Sequence, residues 1–450
     1  MEKFDAVAKG IRQTEETDVE LLGAGLSEAS RDKQLRKKLD TFKVLCGKLE
    51  SLDSHDALFL LRHSLAIPRL TYILRTSPCA SSSVIGEFDK ELHAALEVLL
   101  NCGLSPEKWD WATLPVADGG LGIRSTRDVS LPAYLSSLHA TETLSGAIFS
   151  GESGCAQLVA LQQWDELYCR RPQDHLDQQR AWDRIVTDRR KEHLLSLTSN
   201  DVTARARLLA SGSEVGSAWL HALPSTALGL KLSDEEIRIA VSLRLGLRVA
   251  QAHTCVCGGL ADAEGVHALS CAKVIGRIGR HNHINSVLGR AFTTAKVPCV
   301  LEPMGLSRDD GKRPDGMTMV PWTRGRCLVW DVSCRHTLAE SAVSKSAKEP
   351  GSLAQQAFQS KRAKYSSLEK DYVVVPVIFE THGPMAPESA NLLRQLGQRL
   401  NSSTLEPRSA SFLRQAISVA IARGNAQCIR GTFRSKQVRF QLEENVIWEE

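Results

Sequence analysis

The chain has little net charge. Its 450 residues carry 56 Lys and Arg against 52 Asp and Glu, a formal balance of +4, so overall charge selects no class of partner. No apolar run approaches the roughly 20 residues that a bilayer span needs. Met1 to Gln13 is mixed polar, unlike a secretory leader. These absences predict an intracellular chain with no membrane partner. Its twelve cysteines are then expected to be reduced, buried or metal-bound rather than disulfide-paired. Familiar phosphate and nucleophile motifs are missing as well. Gly119-Gly120-Leu121-Gly122 matches neither the P-loop nor the dinucleotide fingerprint and reads as a tight turn. Gly151-Glu152-Ser153-Gly154 brings its second glycine too early for a nucleophile elbow.

What is present is an ordinary globular composition, 42% apolar and 24% charged, long enough for two to four domains at roughly 150 residues each. The first hundred residues read as a helical bundle. Leu35, Leu39, Phe42, Leu45, Leu49 and Leu52 recur at three- and four-residue steps over Ser30 to Leu52. A second helical region covers Ser54 to Arg75, with Pro68 breaking or restarting it. A third runs from Glu87 to Cys102 and stops at Gly103. Leu21 to Leu26 reads as a loop or edge strand. Residues 135–250 look helical throughout, with Asp174 to His193 as a long exposed helix and acids opening another at Asp234.

A compact ligand window follows. Cys255 and Cys257, then His267 and Cys271, offer four soft or borderline donors suited to tetrahedral zinc in a closed structural site. Gly258-Gly259 permits the turn between the ligand pairs, and His253 is a spare candidate.

Beyond it the sequence predicts a helix from Val274 to Ala295, on which His281 and Asn285 share a face. Strands are expected over Val297 to Leu306 with Glu302 inside, over Met317 to Val320, over Cys327 to Cys334 with Asp331 inside, and over Tyr372 to Glu380. A helix over Ala354 to Lys370 separates the last two, and helices over Ala390 to Leu400 and Ser409 to Ala422 follow. This is a compact α/β unit. From Lys273 to Arg313 eight Lys and Arg face three acids, a local basic balance that suits a nucleic-acid cleft or an ordinary solvated surface. Buried acids on adjacent strands cost free energy unless a cation or base pairs with them. Asp315 and Asp331 with a lysine from the following helix are what metal-dependent phosphodiester cleavage requires. Pro-Asp-Gly alone is commonly a turn; the case rests on the joint pattern.

Residues 255–380 resemble the C-terminal part of non-LTR retrotransposon proteins that carry a restriction-like endonuclease. The matching words are the Cys255, Cys257, His267, Cys271 knuckle, Arg280-His281-Asn282, Arg313-Pro314-Asp315, Asp331, and Lys361-x-x-Lys364-Tyr365. Residues 20–135 are similar to the thumb and connecting region behind a reverse transcriptase palm, through Leu61-Arg62-His63-Ser64-Leu65, Pro68-Arg69-Leu70-Thr71-Tyr72 and Leu114 to Ser125. The resemblance implies a multidomain α plus α/β chain: a thumb-like helical region at 1–135, a helical linker domain at 136–250, a zinc knuckle at 251–275, a restriction-endonuclease-like mixed sheet flanked by helices at 276–430, and a tail at 431–450. It implies DNA nicking for target-primed reverse transcription. Structural Zn²⁺ would sit on the knuckle, and catalytic Mg²⁺ or Mn²⁺ on Asp315 and Asp331, with Glu302 a further candidate. Lys361 or Lys364 would supply the catalytic lysine. Nucleic-acid contacts would come from Arg280, His281, Asn282, Arg313 and Tyr365. Target DNA and element RNA would be partners, in the nucleus. Ser333 occupies the usual lysine position of the motif, so the lysine is displaced to the later helix. No aromatic-Ala-Asp-Asp motif is found and Asp309-Asp310 falls in an unrelated loop, so polymerase activity is not expected, and the chain reads as a fragment or truncated copy. The alternative is a catalytically dead nucleic-acid-binding remnant.

Overall fold

A computed structural model describes residues 15–148, 154–306 and 313–433. Met1 to Gln13, Gly151 to Ser153, Asp309-Asp310 and most of the 431–450 tail lie outside the described residues. The chain is mostly helical with one small mixed sheet. It divides into two compact units that interleave in sequence: residues 1–51, 60–96 and 124–189 form one, and residues 52–59, 97–123 and 190–450 the other.

The first unit opens with a hairpin, β1 Glu20–Leu21 and β2 Ala24–Gly25, where the sequence suggested a loop or edge. Helix α1, Glu28–Leu49, is capped by Ser27, whose hydroxyl accepts from the Ser30 N–H at 3.0 Å. Its buried stripe of Leu35, Leu39, Phe42, Cys46 and Leu49 follows the helical period. Phe42 stacks on Phe88 of the helix Ser83–Leu100 (α3) at 4.3 Å between centroids. Helix α2, Ile67–Thr76, starts at Pro68 as the ring's fixed φ favours. The whole stretch Ser54–Thr76 is long and apolar enough to cross a membrane by length and composition. That corrects the expectation that no such run exists. It is not one straight helix: a π-turn occupies Leu61–Leu65, and Leu70, Ile73 and Leu74 are buried. Asp89 accepts from the Thr126 N–H at 2.6 Å and the Arg127 N–H at 3.2 Å, capping α4, Thr126–Ile148.

Helix α5 is Gly154–Tyr168. The exposed helix expected at 174–193 is instead α6, Gln179–Leu197. Its Trp182 and Val186 are buried, and Trp182 packs edge-on against Trp164 at 4.8 Å. The charged residues around these two side chains masked their burial.

In the second unit the Gly-rich segment is a tight turn, with Gly119 at φ +95°. Arg244 is its keystone. This buried side chain on α8, Asp234–Leu245, donates to the carbonyls of Val116, Gly120, Ser211 and Gly216 at 2.8–3.1 Å. A carbonyl cluster without such a donor would be costly to bury. Helix α7, Val202–Ser211, contributes one of those carbonyls. A hairpin of β3, His253–Thr254, and β4, Leu260–Ala261, leads to the short α9, Val266–Ser270, and then α10, Gly276–Thr294.

The sheet follows, in order β5-β6-β7-β8: Cys299–Leu301, Gly316–Thr318, Leu328–Arg335 and Val373–Glu380. β5, β6 and β7 run antiparallel, while β7 and β8 are parallel across eight residue pairs, Asp331 opposite Pro376. The parallel pair needs a crossover, and α11, Ser352–Lys364, supplies it. Strand alternation assigns the two faces. Leu328, Trp330, Val332, Val377 and Phe379 share a core with α10, α12 (Pro387–Thr404) and α13 (Ser409–Arg430). Ile378 packs with Ala354, Ala357 and Phe358 of α11. Asp331 thereby falls on the α11 side of the sheet.

Candidate functional site

Two acids and a lysine converge where β6 begins, beside the middle of β7. Asp315 immediately precedes β6, with its N–H donating to the Trp330 carbonyl at 3.0 Å. The glycine after it is dictated by packing. A Cβ on Gly316 would lie 2.1 Å from the Trp330 indole, so Pro314-Asp315-Gly316 here opens a strand rather than making a turn. Asp331 lies inside β7 and is 9% exposed. Lys361, in the last turn of α11, reaches it at 2.7 Å and also donates to the Val332 carbonyl at 3.0 Å. Lys364, one turn further, is exposed.

His281 completes the constellation. Its Nε2 lies 3.1 Å from Asp315 Oδ1 and 3.2 Å from the Asn285 amide nitrogen. Asn285 in turn accepts from the Trp330 Nε1–H at 3.2 Å. The other Asp315 oxygen accepts from the Val332 N–H at 2.5 Å. Four held groups, His281, Asn285, Trp330 and Val332, thus orient one carboxylate.

The two acids titrate in opposite directions. Burial works to raise Asp315, but the His281 hydrogen bond and charge, with the Val332 N–H, hold it below the usual carboxylate range. Burial raises Asp331, and the neighbouring Asp315 adds to this against the pull of Lys361. The Asp315 hydrogen bond raises His281 despite its burial. Two close carboxylates with restricted solvent favour sharing a proton or a cation. An oxygen pair of this kind suits Mg²⁺, which takes one or two carboxylates and fills its remaining positions with water or phosphate oxygens.

Several sequence expectations need correction. The strand expected over Val297 to Leu306 covers only Cys299–Leu301 and gives way to a 3₁₀ turn, Met304–Leu306. Glu302 lies between them at φ +49°, and its carboxylate pairs with Arg313 rather than with the two aspartates. Arg280 is 2% exposed and donates to Asn425 Oδ1 at 2.6 Å. A guanidinium committed inside the protein is not available to DNA. Tyr365 is 4% exposed, its hydroxyl donating to the Arg313 carbonyl at 3.4 Å, so its ring offers no stacking platform. Asn282 and Arg313 are exposed. The helix expected to run to Lys370 ends at Lys364, with a 3₁₀ turn at Ser366–Leu368. Asn285 is the residue whose role the sequence did not give, although its four-residue spacing from His281 was the available signal.

The metal window closes as a cluster. One donor atom from each of Cys255, Cys257, His267 and Cys271 lies within 4.8 Å of all the others. The Cys255 and Cys271 sulfurs are 3.9 Å apart, and Cys257 Sγ is 3.4 Å from His267 Nε2. Tetrahedral zinc with Zn–S near 2.3 Å needs donors about 3.7 Å apart, so the set fits. Asp262 fixes α9 by accepting from the N–H groups of Val266 and His267 at 2.9 and 2.6 Å. His253 is not a fifth donor: it stacks on Phe433 and its Nε2 meets Thr432 Oγ1 at 2.9 Å. Cys255, Cys271, Ala268 and Leu269 pack with Ala426, Cys428 and Ile429 at the end of α13. All the described cysteines other than these are also free thiols rather than disulfides.

A Cys₃His knuckle followed by a small sheet with two acids and a crossover-helix lysine is therefore the arrangement of this chain's second unit. No protein-family model matches the chain. It is 22% identical over 413 residues, 89% of its length, to the retrotransposable element SLACS 132 kDa protein of Trypanosoma brucei gambiense. The aligned region is 31% of that protein, so the chain spans about a third of the length of this relative. The similarity supports a retrotransposon origin.

Proposed function

We propose that this chain is the endonuclease-bearing part of a retroelement protein, cutting one strand of target DNA to prime reverse transcription. The observation that carries the reading is the meeting of Asp315, Asp331 and Lys361 from three separate elements. On this reading residues 276–430 are the restriction-like domain, 251–275 its zinc knuckle, 136–250 a helical linker and 1–135 the remnant of a reverse transcriptase thumb. Target DNA and element RNA are the partners, and the nucleus is the place of action.

A divalent cation held by Asp315 and Asp331 would supply an activated water and charge neutralisation at the phosphorus. The protein's own groups do the rest. His281 and the Val332 N–H fix the Asp315 carboxylate in position. Lys361, set between Asp331 and the Val332 carbonyl, places a positive charge beside the scissile phosphate, where negative charge grows in the transition state. Zinc on Cys255, Cys257, His267 and Cys271 would serve as a closed structural centre.

The test is a supercoiled plasmid incubated with the protein and Mg²⁺ or Mn²⁺. Conversion to the open circle that stops on chelation is the expected result. Intact plasmid, with salt-dependent retardation of the same DNA, would instead leave a nucleic-acid-binding remnant.

A further inference from the structure

The second unit carries a groove that the nuclease reading leaves without a role. It is an open cavity of about 770 Å³ between the turn joining β6 to β7, the outer face of α12, and the end of α10. Lys296, Arg399, Gln395, Gln398, Ser402 and Trp322 line it, and no acid does among the described residues. The surrounding sequence is one-sided in the same way: no Asp or Glu occurs at 265–301, at 316–330 or at 389–405, while Arg290, Lys296, Arg324, Arg394 and Arg399 all do.

The groove's polar groups are held in place. The Arg399 guanidinium lies 3.9 Å above the Trp322 ring and donates to the Trp322 carbonyl at 2.8 Å. That stack fixes its plane before any ligand arrives. The Gln395 carbonyl oxygen accepts from the Trp322 Nε1–H at 3.2 Å, leaving its N–H₂ group as a donor. The Lys296 and Gln398 side chains are exposed. Fixed N–H donors and cations without a competing carboxylate recognise a phosphodiester backbone, and they read charge rather than base identity.

We propose that this groove binds a phosphate run of duplex DNA, apart from the cleavage centre. Asp315 stands at one end of β6 and the groove beyond the other. The five residue steps from Asp315 to Val320, with β6 at their centre, span at most about 17 Å, or about five phosphate steps at 3.4 Å per step. That separation is less than one helical turn of duplex. The proposal rests on charge and geometry, and only its pairing with cleavage rests on the nuclease reading.

Binding of a fluorescent duplex of about three turns is to be measured by anisotropy across a salt series, without added Mg²⁺ or Mn²⁺. The variants are Lys296→Glu and Gln398→Glu, both at exposed side chains, and Arg399→Gln. Thermal unfolding of each variant establishes that it is folded. Loss of one cationic phosphate contact, in Lys296→Glu or Arg399→Gln, should reduce the slope of log affinity against log salt by about 0.9, and in each variant affinity should fall at least severalfold. Wild-type slope and affinity in folded Lys296→Glu and Gln398→Glu would overturn the proposal. A loss seen with single-stranded RNA of equal length but not with duplex DNA would overturn it too. Plasmid nicking separates the two readings: nicking with no groove dependence of binding sinks the groove alone, and groove-dependent binding without nicking sinks the nuclease alone.

Discussion

Lys361 and Lys364 stand three residues apart on one helix, and the sequence offered no way to choose between them. The fold does. Lys361 faces Asp331 at 2.7 Å, and Lys364 faces solvent. Lys361→Ala should lower the nicking rate by on the order of 10²-fold, the scale at which a preorganised charge acts on a developing anion. Lys364→Ala should leave it within about threefold, since an exposed charge contributes little. Single-turnover rates on the same plasmid check both. Gly316 gives a second test. Gly316→Ala drives a methyl into the Trp330 ring, an overpacking expected to cost about 1–3 kcal/mol and read as a lowered midpoint of chemical unfolding. The Arg280-His281-Asn282 word was legible as a motif but not as a division of labour. Helical rotation sends Arg280 into the core, His281 to Asp315 and Asn282 to solvent, and neighbouring letters do not reveal which way each points.

At the scale of elements, the knuckle was legible because its four ligands fall within seventeen residues, from Cys255 to Cys271, and their chemistry is narrow. Its consequence for packing was not, because Val256 meets Thr432 and Cys271 packs with Ile429 from a helix far along the chain. The chain should bind zinc in a 1:1 ratio, measured by atomic absorption after desalting. Cys257→Ser, at an exposed ligand, should lose the metal and lower the thermal midpoint without removing a core side chain. Retention of full zinc by that variant would contradict the site. The sheet was legible through its apolar runs, and β7 and β8 fall where Cys327 to Cys334 and Tyr372 to Glu380 predicted them. The first strand was not: Glu302 at φ +49° ends it early, and the periodicity of the flanking residues gives no sign of that.

At the scale of the whole molecule, buried neutral histidines set a pH dependence. Burial lowers His55 to about 4 and His336 to about 3, and it also lowers His382. Unfolded histidine titrates near 6.5. A folded pKa below the unfolded one means that the stabilisation is present above about 6.5 and is lost as pH falls toward about 3–4. His55 and His336 should each remove about 2 kcal/mol between pH 7.5 and pH 5, and His382 acts in the same direction. Urea midpoints at the two pH values check this, and equal midpoints would contradict it. The interleaving of the two units could not be read from the sequence, because it depends on which helices meet across more than a hundred residues rather than on any local pattern.

Paired plasmid nicking by the wild type and Asp331→Ala tests most directly the proposed cleavage centre at Asp331 and its neighbours. With Mg²⁺ the wild type should convert supercoiled DNA to open circle, while folded Asp331→Ala should leave it supercoiled. Equal nicking by the two proteins would contradict the account.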